Sequence, residues 1–415
     1  MAESAIEHSI ACGLSEGSTI NSEELVIKSA KGIFLQDIYN KRYMDFFSQT
    51  WSLPLGHDND SIHQAVLDQL NKVIHLRTAY STDKKSELAR RIIELSPEGL
   101  TKVNFVLHGS LAVEGALKLA MNNYSDRYKI LYLEDGFHGR SLATMGISWK
   151  IPDCKYFHYF ENGIEVKKNL ADIELKMQKH APAAIILELV QGNSGFKILD
   201  KNLVRGIREL CDKYDVTMII DEVQTAFGCM GNMFLCDEYE VIPDILVFGK
   251  AIGGGYPLAG TIYKDKYHFQ SGEHSFTFAS FPVSMAAGVA FLDELQTFLE
   301  KNTVPHISAQ IQESLEYLEK RYDILSNARC LGTKAAIDVI DKDGNPDPAT
   351  ADLIVSEMQK NGVIIANSKV RGLGNTLMLQ PPIIITSTQL ETAFSVLDKV
   401  LKKINYSGGL YDRHL

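Results

Sequence analysis

The sequence predicts an α/β protein: one large unit on a mostly parallel sheet, with a smaller α+β unit beside it. Three observations carry this. Short apolar runs recur between residues 103 and 248, separated by segments with helical spacing. The runs are apolar throughout rather than alternating, as in strands buried on both faces. After about residue 295 the rhythm changes, and helical patterns enclose two short strand candidates. At 415 residues the chain also exceeds what one core usually holds. These shifts set three expected segments: 1–60, joining the smaller unit; 61–295, the large unit; and 296–415, the C-terminal unit.

In chain order, residues 25–47 read as short strands and turns. Residues 60–100 read as helical, with Ile62, Val66, Leu67 and Leu70 on one face. Strand candidates follow at 103–107, 129–133, 183–190, 216–220 and 244–248, with helices at 110–122 and 201–213 among them. The last part reads as helices 306–322, 349–361 and 388–404 around strands 334–340 and 376–380.

Hydrophobic residues make up 45% and charged residues 23%, ordinary for a soluble protein. A net charge of -10 argues against a nucleic-acid partner. No apolar run approaches the roughly 18 residues of a membrane span. The N-terminus, with Glu3 and Glu7, lacks the basic and apolar regions of a signal peptide. Six scattered cysteines (Cys12, Cys154, Cys211, Cys229, Cys236 and Cys330) form no CxxC pair. They fit a reduced cytoplasmic protein without a metal site.

In a parallel sheet, ligands sit beyond the carboxyl ends of the strands. Four segments reach that edge. The strand ending Ile219-Ile220 runs into Asp221 and Glu222. Asp221 either caps the next turn or holds a ring nitrogen protonated. Lys250 follows an apolar strand and precedes Gly253-Gly254-Gly255. A partly desolvated lysine near other cations has a lowered pKa and forms imines. A P-loop is excluded, because Asp244 and Ala251 stand where that motif needs Gly and Ser or Thr. Gly109-Ser110 opens a helix after a strand, a natural phosphate site, with Ser110 as N-cap and Glu114–Lys118 as an i,i+4 pair. Phe137-His138-Gly139-Arg140 offers flat rings to stack on a planar ligand, against the plainer reading of a buried aromatic and a surface histidine. Together the four supply a phosphate cradle, a stacking ring, an acid for a pyridine nitrogen and an imine-forming lysine.

At this point the sequence resembles the class III pyridoxal-phosphate aminotransferases, such as the ornithine, acetylornithine, 4-aminobutyrate and diaminobutyrate enzymes. Ile220 to Thr225 through Gly231, Pro243-Asp244, Gly249-Lys250 and Gly253 to Pro257 carry the resemblance. Arg42 to Phe46, Gly56-His57 and Gly374 through Pro381-Pro382 extend it over nearly the whole chain. It implies fold type I and a homodimer with active sites at the subunit interface. It makes Lys250 the Schiff-base lysine and proton shuttle, and pairs Asp221 with the pyridine nitrogen of pyridoxal phosphate. Val223 and Phe137 sandwich the ring, Gln224 contacts its 3-hydroxyl, and Gly109 and Ser110 hold the phosphate. Thr277 reaches the partner subunit's phosphate, while Glu188, Thr50 and Trp51 lie in pocket-lining segments. The expected partners are a small amine or amino acid and a keto acid.

The sequence also departs from that family. Met378 stands where many glutamate-using relatives have a carboxylate-gripping arginine, and Asn193 where they have its switching glutamate. Either carboxylate binding has moved, with Arg140 and Arg371 as candidates, or the usual glutamate couple is not used. Leu111, Cys229 and Ala279 to Pro282 replace other family residues and make the pocket less polar. A lyase on the same scaffold, eliminating ammonia or phosphate from an amino-alcohol derivative, is the alternative to transamination.

Overall fold

The computed structural model describes residues 25–150, 160–368 and 374–407. Strands β1 (Ile27–Lys31), β2 (Phe34–Asp37) and β3 (Arg42–Asp45) form an antiparallel ladder. Helices α1 (Asp60–Leu70) and α2 (Asp83–Leu95) follow, so the helical stretch expected over 60–100 is interrupted. No glycine or proline marks the interruption. The signal is capping: Asn59 accepts from the N–H groups of Ser61 and Ile62, and Thr82 from that of Lys85.

The large sheet contains β4 (Lys102–Val106), β5 (Ile130–Leu133), β6 (Gly163–Val166) and β7 (Ala184–Leu187). After a small hairpin of β8 (Val190–Gln191) and β9 (Lys197–Ile198), it continues with β10 (Thr217–Asp221), β11 (Ile245–Phe248) and β12 (Ala259–Tyr263). The spatial order is β4-β12-β11-β10-β7-β5-β6. Only β12 is reversed, antiparallel to both β11 and β4. Two reversals cancel, so β4 points the same way as β11. The ends of β4, β5, β7, β10 and β11 therefore converge on one edge. Strands β6 and β12 were not anticipated, because each is short and opens on glycine or alanine, weak strand formers.

Strands β5, β7, β10 and β11 are buried at every position. Their residues alternate between two apolar clusters, one on each sheet face: Leu131, Leu187 and Leu246 in one, Ile130, Ile186 and Ile245 in the other. Each such side chain contributes about 2 kcal/mol by leaving water. Helices α3 (Gly109–Asn122), α4 (Leu170–His180) and α5 (Lys201–Tyr214) connect these strands, and α6 (Pro282–Glu300) packs on α1.

The remaining residues build α7 (Thr303–Arg321), β13 (Leu325–Leu331), β14 (Lys334–Val339), α8 (Pro348–Lys360), β15 (Val363–Ile364), β16 (Ala366–Asn367), β17 (Thr376–Leu379) and α9 (Ser387–Ser407). The second sheet runs β13-β14-β17-β16, while β15 pairs in parallel with β3. Ile33, Met44 and Phe46 share an apolar cluster with Leu315, Val363, Leu377 and Leu397. Among the described residues no helix is long and apolar enough to cross a membrane. Glu3, Glu7, Cys12, Cys154 and Arg371 lie outside the described residues.

Candidate active site

A cavity of about 400 Å³ opens at the carboxyl edge of the large sheet. Five strands deliver its lining: His108 to Ser110 after β4, Phe137 to Arg140 after β5, Glu188 after β7, Asp221, Val223 and Gln224 from β10, and Lys250 after β11. Ten of the residues singled out in the sequence thus meet in one place. Thr50, Trp51, Asn193, Thr277 and Met378 are not in its lining.

Asp221 ends β10. Its Oδ1 accepts from the Val223 N–H at 3.1 Å, and its Oδ2 lies 2.8 Å from Nδ1 of His138. With Asp221 ionised, that contact requires the proton on Nδ1. The His138 ring is fully buried, and its Nε2 has no partner. His138 is therefore held edge-on to Asp221 and is not a surface histidine. Asp221 thus also caps the next turn, through the Val223 N–H, while its neighbour holds a more distant loop. Glu222 accepts from the N–H groups of Leu235 and Cys236 at 2.7 and 2.8 Å, and from the Thr225 hydroxyl at 2.9 Å.

Lys250 follows β11 and Gly249 in a left-handed conformation, φ 47°. A Cβ on Gly249 would crowd Ala259 at 3.2 Å and Val223 at 3.4 Å, so a side chain there would push both aside by a few tenths of an ångström. Burial, then the charge of Lys334, lowers the Lys250 pKa to about 7, while Asp221 and Glu188 oppose them. Glu188 is held well above the usual carboxylate pKa, first by burial and then by Asp221. Its Oε1 accepts the Phe137 N–H at 2.8 Å.

Helix α3 begins at Gly109, and no side chain caps its first N–H groups. The expected N-cap, Ser110, lies inside the helix, and its hydroxyl accepts from the Arg140 N–H at 3.1 Å. Lys118 does not pair with Glu114; it donates to the Glu273 carbonyl at 2.9 Å. Gly139 has φ +136°, and a Cβ there would run into the Ser110 and Thr144 hydroxyls. Phe137 and Val223 are half-buried at the cavity, with the Arg140 guanidinium 5.1 Å from the Phe137 ring centre.

The other singled-out residues lie around this centre. Trp51 is buried at the end of a turn, Ser48 to Trp51, whose four residues all have positive φ. Thr50 on that turn is exposed. The Asn193 carbonyl accepts from Ser368, and Gly192 packs so tightly on Trp51 and Gln224 that no Cβ fits. Thr277 is exposed. Met378 is buried in β17, opposite Ala336. One residue was missed: Lys334, buried at the start of β14, donates to the Gln224 carbonyl and lies 4.3 Å from the Trp51 ring centre. A lysine leading straight into Ala335-Ala336-Ile337 was the available signal.

These features fit a phosphorylated pyridine aldehyde. An uncapped helix start faces the cavity, a carboxylate backed by a histidine is fixed at its base, and a lysine of low proton affinity stands alongside. The buried Gln224 Oε1, without a partner, is a further polar atom at the cavity.

Comparison with known proteins agrees. The family model for class-III aminotransferases matches residues 18–401. The chain is 32% identical to the acetylornithine aminotransferase of Caldanaerobacter subterraneus subsp. tengcongensis, covering 94% of this chain and 97% of that one. It is 29% identical to the adenosylmethionine-8-amino-7-oxononanoate aminotransferase of Aquifex aeolicus, covering 92% of each. The crystal structure of acetylornithine aminotransferase from Elizabethkingia anophelis superposes with a TM-score of 0.81 at 26% identity, over 97% of this chain and 100% of that one. The architecture is thus fold type I, and the chain belongs to the class-III aminotransferases, enzymes that work through pyridoxal phosphate.

Proposed function

We propose that this aminotransferase holds its cofactor covalently on Lys250, and that Lys250 also moves the proton of the transfer step. The observation that carries this is the placement of Lys250 in one cavity with the Asp221–His138 couple. The cofactor, when bound, accepts the electron pair released as the substrate carbon–hydrogen bond breaks. Asp221, fixed by the Val223 N–H and His138, keeps a pyridine nitrogen protonated. Lys250, with a pKa of about 7, is neutral in good part near neutrality, so it can attack a carbonyl carbon and later accept a proton. The N–H groups opening α3 and the Ser110 hydroxyl hold the phosphate. Val223 and Phe137 flank the ring, and Gln224 faces its hydroxyl. Glu188 and Arg140, which line the cavity, border the substrate, with Thr50, Trp51, Asn193 and Met378 further out.

Two copies complete the site in this reading, with Thr277 of each reaching the phosphate of the other. Support comes from exposed apolar residues near it: Ile74, Tyr80 and Phe278 are 57%, 61% and 49% exposed. The segments carrying them touch, since the His75 ring lies tilted 4.8 Å from that of Phe278 and Thr78 bonds Ser275. The described residues of segments 1–60 and 296–415 then form one unit against 61–295, a division that the β3–β15 pairing supports.

The test is direct. Chain mixed with pyridoxal phosphate should turn yellow, and borohydride should fix the cofactor to the peptide bearing residue 250. Lys250→Ala should bind weakly, without fixation, and lose activity by several orders of magnitude. Fixation at another lysine would refute the assignment. The relatives named above are aminotransferases, which favours transfer over elimination. Accumulation of the pyridoxamine form with an amino donor alone would show it.

A further inference from the structure

Positions 193 and 378 leave the substrate's acidic group without the residues that many relatives use. The structure offers a cation a short way off. Ala336 pairs with Met378 across β14 and β17, so both side chains lie on one face of that sheet. Lys334, two residues before Ala336, points to the same face. Ala336 belongs to the apolar cluster of the large unit, whereas Ala335 and Ile337 belong to the other. The face carrying Lys334 and Met378 is therefore turned toward the large sheet.

Lys334 is not itself in the cavity lining but bonds a residue that is. Its Nζ donates to the backbone carbonyl of Gln224, whose residue lines the cavity. Trp51 receives two ammonium groups, Nζ of Lys334 at 4.3 Å and Nζ of Lys250 at 5.1 Å from its ring centre. Gly192, the neighbour of Asn193, packs against the same ring. Lys334 thus lies among the two vacated positions and the Schiff-base lysine.

It is also a buried cation without a counter-ion. Lys334 is 3% exposed, and no carboxylate forms an ion pair with it among the described residues. Burial holds its pKa down to about 8, and the titratable group acting on it is Cys229. Lys250 is the nearby cation, itself offset by Asp221 and Glu188. A charge kept out of water with only a carbonyl and an aromatic face is costly, and an anion arriving beside it would relieve that cost.

We propose that Lys334 binds the carboxylate of the substrate, taking from β14 the part that the family resemblance gives, in many glutamate-using members, to an arginine at position 378 on β17. No acid at 193 is present to neutralise it when a carboxylate is missing. The cation therefore acts in both half-reactions, and amino donor and keto acceptor each bring an anionic group to it. This inference rests on the site assigned above.

The test uses loaded enzyme and matched donors, 5-aminovalerate with butylamine and alanine with ethylamine. Loss of the cofactor's visible band gives kcat/KM for each, and the acid-to-amine ratio is the readout. Wild type should favour the acids by about tenfold to a hundredfold, the usual worth of one charged hydrogen bond. Lys334→Met should lose most of that preference, and Lys334→Arg should keep it. The wild-type preference should fade as pH rises past about 8, while that of Lys334→Arg persists. Glutarate, measured by calorimetry, should bind at least about tenfold more weakly to Lys334→Met. An unchanged ratio together with unchanged glutarate binding overturns the inference while leaving the site assignment standing. Wild-type enzyme that fixes no cofactor at residue 250 brings down both.

Discussion

Glu188 is the side chain whose protonation most directly reads out the making of this site. A carboxyl whose folded pKa is raised stabilises the fold below its ordinary value of 4.5, and that contribution is lost as pH rises through the raised value. Glu188→Gln keeps the acceptor for the Phe137 N–H but cannot ionise. Cofactor-free wild type should therefore lose stability relative to Glu188→Gln as pH climbs above 4.5, in thermal melts across the acid-to-neutral range. Parallel curves would place the carboxyl in a more polar setting than the structure gives it. At this scale much of the site was legible from sequence, because Lys250, Asp221, Gly109 and Phe137 sit in local motifs at strand ends. What was not legible depends on distance along the chain. His138 and Asp221 are 83 residues apart, so nothing local couples their side chains. Lys334 and Gln224 are 110 apart, and a lone lysine ahead of an apolar strand looks like a surface residue until the strand is seen buried.

Among the elements, the loop following the turn after β10 is tied back to that strand by Glu222. Glu222 takes the backbone N–H groups of Leu235 and Cys236, so the carboxylate binds the loop beyond Gly231 to the strand that carries Asp221. Glu222→Ala strands two buried donors and opens a void, at about 3–5 kcal/mol. A matching drop in the urea or thermal midpoint is expected. A change under about 1 kcal/mol would mean that the loop finds other acceptors. Element types were readable where period and burial agreed, as in β5, β7, β10 and β11. They failed where short segments open on glycine or alanine, as in β6 and β12, and where caps alone mark a boundary, as between α1 and α2.

For the whole molecule, the position of Thr277 makes the assembly testable. Lys250→Ala and Thr277→Asp chains should each form weak or inactive dimers alone. If Thr277 serves the partner's phosphate, one of the two sites in a mixed dimer receives both lesions and the other none. Remixing from dilute urea should then restore about half the wild-type activity per mixed dimer. If Thr277 acts within its own chain, every site keeps one lesion and nothing returns. Single-chain reasoning could reach the sheet and its edge, but not which surface meets a second copy, because that depends on three-dimensional patches. The pairing of β3 with β15 also bears on how the protein is made. Lys41 donates to the carbonyl of Lys360, 319 residues further on, and Ser48 to that of Gln380. On the ribosome, β1, β2 and β3 can pair with one another as they emerge, but the outer edge of β3 must wait for β15 through the synthesis of the large sheet. A chain whose synthesis stops short of β15 leaves that edge of β3 open.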